Sequence, residues 1–159
     1  MGCARMNLRR VSYGTTSAVV TGMALIAGLE AASGRRVSII AGLLIFALAD
    51  NLTDSLSIHV YQEAEHLEQR AALRATATNF AMRLAVTLSF VLIVLTVGPS
   101  LALWASLVWG VSLLVILTVL VARERGVPVW PEVARHVVLA FVVIVVSKLL
   151  GAWVTRVLT

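Results

Sequence analysis

Cysteine and charge are the two scarce things in this chain of 159 residues. Its one cysteine, Cys3, excludes an internal disulfide. Charged residues make up 13% of the chain and apolar ones 60%, with a mean hydropathy of +0.96. Soluble domains hold about half apolar residues, so the composition excludes an ordinary soluble fold and leaves no room for a separate soluble domain. Also missing are β alternation, internal repeats and low-complexity tracts. No HExxH stretch and no nucleophile with a base and an orienting group is found, so the sequence does not read as an enzyme. The start, "MGCARM", lacks the Ser or Thr at position 6 that myristoylation needs. Arg5, Arg9 and Arg10 precede an apolar run as in a signal peptide, but no clear cleavage site follows, and the run reads as a retained helix.

What the chain does hold is five apolar runs of near-membrane length, over residues 13–32, 37–73, 80–97, 101–122 and 133–158. The second is apolar to Tyr61 and reads as continuing, as a polar cytoplasmic helix, to Leu73. The expected fold is an all-α membrane protein of five transmembrane helices forming one domain. The net charge of +5 does not point to nucleic acid, because the basic residues fall in the gaps between the runs. With the N-terminus in the cytoplasm, that side receives Arg5, Arg9, Arg10, Arg70, Arg74, Arg83, Arg123, Arg125 and Arg135. The other side receives Arg35, Arg36, Arg156 and Lys148. This bias predicts the N-terminus inside and the C-terminus outside. Trp130 suits the interface at the start of the fifth run, and Glu30 suits an interfacial ion pair with Arg35 or Arg36.

The second run carries the chemistry. At 100° per residue, Asp50, Asp54, Ser57, Tyr61, Glu65 and Glu68 form one stripe. A charge at the bilayer centre costs about 2.5 kcal/mol or more, so the aspartates need compensation. They either line an ion path or tie the bundle together, through hydroxyls of the first helix or through Lys148. Nearly opposite lies a second stripe of His59, Glu63, His66 and Arg70. Imidazole and carboxylate suit Fe(II), Mn(II) or Zn(II), with no thiolate for soft copper; a solvated helical face explains the same stripe. The first run offers Thr15, Thr16, Ser17 and Thr21 as hydroxyls, and Gly14, Gly22 and Gly28 for close helix contact. The last three runs show only isolated polar residues, among them Asn79 and His136.

The stretches "YG…VVTGMALIAGL" and "AGLLIFALADNLTDSLSI…Y…E…E" resemble the vacuolar iron transporter family over residues 11–68. That family typically has an Asp-Gly pair in its first helix, which falls on Ser17-Ala18 here. Its second-helix Ala-Asp matches Ala49-Asp50, and its Ser-Met step falls on Thr53-Asp54, so a carboxylate stands where a methionine ligand is expected. The family's glutamate- and methionine-rich cytoplasmic insertion is reduced to about 20 residues holding Glu63, Glu65 and Glu68. The resemblance implies a homodimer in lipid, in a bacterial or archaeal cell membrane for a short member such as this. It implies a path that exchanges Fe(II) or Mn(II) for protons, with no resident cofactor. Asp54 would be the central ligand beside Asp50, with Ser17, Thr21 and Ser57 giving neutral oxygens. His59, Glu63, Glu65, His66 and Glu68 would stand at the cytoplasmic mouth. The alternative is a non-transporting membrane scaffold or accessory protein that keeps the fold.

Overall fold

A computed structural model describes residues 8–64 and 69–158, with the side chains of 8–13, 58–59, 62–64, 69–72, 75 and 99–100 excepted. The described chain is helical throughout and contains no strand. Five helices follow in order: α1 Leu8–Ser33, α2 Arg36–Ala64, α3 Gln69–Thr96, α4 Pro99–Arg125 and α5 Val129–Leu158. Each is long and apolar enough to cross a membrane.

Glycine or proline ends the helices at three of the connections, α1–α2, α3–α4 and α4–α5, and keeps them short. Gly34 turns between α1 and α2 with a φ of 59°, which a Cβ would strain. Gly98 and Pro99 separate α3 from α4, with proline in the first turn, where its missing N–H is no loss. Gly126, at φ 67°, ends α4, and Val127 N–H donates to Ala122 O at 3.1 Å.

α1 is the central and most buried helix, packing against all four others, while α2 pairs with α3, α3 with α4 and α4 with α5. Small residues set this arrangement. Gly151 of α5 sits against the backbone of Gly28, and Gly22 against the ring of Phe90. The core is Ala18, Val19, Met23 and Ile26 of α1 with Leu43, Phe90, Val94 and Leu114. The outer faces are apolar too: Ile45 is 67% exposed, Leu48 60% and Phe141 66%. Apolar exposure on that scale suits lipid rather than water.

Several expectations need correction. The second helix does not run on to Leu73, since Gln69–Leu73 belongs to α3. The reason is the antiparallel pairing of α2 with α3. Contacts Arg36/Val97, Asp50/Arg83 and Asp54/Arg83 all have midpoints between residues 66 and 69, just past the described end of α2. α3 therefore starts well before residue 80. Glu30 forms no ion pair with Arg35 or Arg36 among the described residues. Arg36 instead reaches across to α3 and donates to the carbonyls of Val94, Leu95 and Val97, with Val97 O at 3.1 Å. These carbonyls at a helix C-terminus have no intrahelical partner and carry partial negative charge, so a guanidinium satisfies them on both counts.

Candidate functional site

The polar residues of α2 divide by register. Ile39, Leu43, Ala47, Asn51 and Ser55 recur every four residues and are buried. Asp50 and Asp54 lie one position round from Asn51 and Ser55, on the flank of that buried face. Facing them on α3, Asn79 and Arg83 are one turn apart and both 2% exposed. Gly14 of α1 closes the third side. A Cβ there would stand 2.0 Å from Asn79 Oδ1 and 3.2 Å from Arg83 Cδ, so only a hydrogen fits.

Arg83 organises these groups. Its Nε donates to Asn51 Oδ1 at 2.9 Å. Nη1 donates to Asp54 Oδ2 at 3.0 Å and to the Gly14 carbonyl at 3.1 Å, and Nη2 donates to Asp50 Oδ2. One planar guanidinium thus joins three helices, using the fixed fork of donors that lysine lacks. Asn79 Nδ2 adds a long contact to Asp54 Oδ2 at 3.4 Å. Arg83 lies seven residues inside the span Thr76–Thr96, about 10 Å from its end at 1.5 Å per residue. At that depth an unpaired charge would be costly, and the ion pairs are its compensation.

The cluster is not balanced. Two carboxylates and one guanidinium sum to a formal charge of −1. Among the described residues each carboxylate is engaged through Oδ2 alone, and the side chains of Asp50 and Asp54 remain 43% and 32% exposed. Two buried amide atoms beside them, Asn79 Oδ1 and Asn51 Nδ2, have no hydrogen-bond partner among the described residues. The arrangement leaves oxygen atoms free at the rim of the bundle, next to a fixed positive group.

Charge placement along the sequence puts Arg83 with the cytoplasmic arginines, and the structure corrects this: it is buried within α3. The signal was present, since Arg83 is the one charged residue between Arg74 and the end of α3. An isolated arginine inside an apolar run is a partner for intramembrane carboxylates. The last three helices therefore do carry chemistry, through Arg83 and Asn79.

Asp50 and Asp54 are drawn together on Arg83, but the other path residues are not joined to them. Ser17 is exposed and Thr21 half-buried, and neither hydrogen-bonds an aspartate. Ser57 is exposed and donates back to Thr53 O at 2.9 Å. Nor does Lys148 pair with Asp50. Its neighbour Ser147 packs on Gly28, whereas Arg83 binds the Gly14 carbonyl. Fourteen residues of α1 separate the two levels, about 20 Å. Lys148 is exposed and unpaired among the described residues.

His59 and Glu63 lie in the last turns of α2, with side chains outside the described set, and Glu65, His66 and Glu68 lie outside the described residues. Among the described residues, no three His, Cys, Asp or Glu side chains are grouped to hold a metal ion. Comparison with protein-family models, with curated proteins and with solved structures found no match.

Proposed function

We propose that this chain is an integral membrane carrier that exchanges a divalent cation, Fe(II) or Mn(II), for protons at the Asp50/Asp54 pair. The reading includes a homodimer, a cytoplasmic N-terminus and a bacterial or archaeal cell membrane, as the resemblance implies. One observation carries it: two membrane-embedded carboxylates surround a single guanidinium, each with its second oxygen unengaged and its side chain partly exposed. A structural tie needs one carboxylate for one arginine. The second is surplus, and surplus intramembrane charge is characteristic of ion pathways. The available donors are all oxygen, which suits Mn(II) and other hard divalent cations.

The test is Mn(II) uptake into proteoliposomes under an imposed pH gradient, comparing wild type with Asp54→Asn. Wild type should accumulate Mn(II), and the variant should not while remaining folded. Equal uptake by both, or none by wild type, overturns the reading.

A second reading is supported by the linkage of Gly14, Asn51, Asp50, Asp54 and Arg83 across three helices. Here the cluster is a lock that holds a non-transporting scaffold together. Asp50→Ala would then lower stability in detergent, and wild type would carry no Mn(II).

A further inference from the structure

We infer that Arg83 is a tethered internal cation that occupies the carboxylates when no substrate is bound, and that the transported ion must displace it. The inference rests on the transport reading above and concerns how that site binds and releases its ion.

Arg83 has acceptors of two kinds. Two are carboxylate oxygens, Asp50 Oδ2 and Asp54 Oδ2; two are neutral, Asn51 Oδ1 at 2.9 Å and the Gly14 carbonyl at 3.1 Å. The neutral pair holds Nε and Nη1 whether or not the carboxylates are engaged, so the aspartates can turn from Arg83 while the guanidinium stays in place. Being 2% exposed and boxed in by Gly14 and Asn79, it also has little room to swing out.

A divalent ion placed on the aspartates therefore sits beside a fixed positive charge. That charge weakens binding through like-charge repulsion, strongly so where water is scarce. It also competes for Asp50 Oδ2 and Asp54 Oδ2 directly, because an oxygen aimed at a guanidinium is turned from a metal. Both effects speed release. A pair of carboxylates with no competitor would bind tightly and let go slowly. Asn79 completes the set. Its unpartnered Oδ1 lies in the same buried layer as Arg83. With the ion bound, a turned Asn79 amide presents that oxygen to the site in place of the weak 3.4 Å contact from Nδ2. The occupied site then offers three protein oxygens and no sulfur, the donor set of a hard divalent cation.

The experiment measures Mn(II) affinity of the detergent-solubilised full chain by isothermal titration calorimetry. Four forms are compared: wild type, Arg83→Gln, Asp50→Asn, and Asp50→Asn with Arg83→Gln. Arg83→Gln should tighten Mn(II) binding by about tenfold or more and slow turnover in proteoliposomes at saturating Mn(II). Arg83→Gln leaves two carboxylates without a counter-charge and so perturbs folding as well as binding, and the double variant carries the decisive comparison. It keeps the formal charge of −1 and should bind Mn(II) at least about tenfold more tightly than Asp50→Asn alone. If the double variant binds no tighter than Asp50→Asn, Arg83 is not a competitor and the inference falls, although transport stands. If wild type neither binds nor transports Mn(II), the transport reading itself falls.

Discussion

The Arg83 cluster makes a quantitative demand on stability. Consider Arg83→Met, which keeps much of the side-chain volume and removes every donor. Four hydrogen bonds are lost, two of them to carboxylates, and Asp50 and Asp54 are left facing each other without a counter-charge. Removing one partner of a buried ion pair costs about 3–5 kcal/mol, because the remaining charge is uncompensated. The aspartates are 43% and 32% exposed, which relieves part of that charge, so the loss should lie near the lower bound, about 3 kcal/mol. The same reasoning predicts rescue. Adding Asp50→Asn and Asp54→Asn removes the stranded charges, and the triple variant should recover about 2 kcal/mol of that loss. Unfolding by sodium dodecyl sulfate in mixed micelles, followed by far-ultraviolet circular dichroism, reads both quantities. A loss below about 1 kcal/mol for Arg83→Met, or a triple variant no more stable than the single one, would refute the electrostatic account.

Gly151→Ala should destabilise the α1–α5 contact by about 1–3 kcal/mol, since its Cβ would stand 2.1 Å from the Gly28 carbonyl oxygen and backbone cannot turn aside. Gly110→Ala should cost less, because the atom it meets is the flexible Met23 Sδ; thermal melts of the two variants in one detergent make the comparison. Arg36→Met should lower stability by about 1.5–3 kcal/mol and speed amide exchange in the last turn of α3, whose carbonyls it leaves without a charged donor. With Cys3→Ser as background, Arg35→Cys should react with an impermeant maleimide added outside intact cells and Glu124→Cys should not; the reverse pattern would overturn the proposed orientation.

The helix count was legible because the membrane requirement is itself one-dimensional. About 20 apolar residues must follow one another to satisfy the backbone across the hydrocarbon layer, and "SGRR", "GPS" and "RERGVP" interrupt those runs openly. The angular reading of α2 also located Asp50 and Asp54 on one flank, since a helix fixes relative direction along its own axis. The boundary between α2 and α3 was less visible. No glycine or proline marks it in "YQEAEHLEQRAALR", and only the pairing of Arg36 with Val97 and of Asp50 with Arg83 shows where α2 can extend.

The partner of the aspartates was not legible from periodicity, because a helix's pattern says which face is polar and nothing about which helix it meets. Ser17, Thr21 and Lys148 were reasonable partners by residue type. Among the described residues Ser17 and Thr21 make no hydrogen bond to either aspartate, and Lys148 lies about 20 Å away along α1. The sequence by itself determined that this chain has five helices long and apolar enough to cross a membrane and that the second of them carries two carboxylates. Only the tertiary structure decided that they share one buried arginine of α3. That choice depends on glycines at positions 14, 22, 28 and 151 letting α1 approach its neighbours closely, and on the antiparallel register of α2 with α3. Distances between helices are set by what fits between them, which no single helix contains.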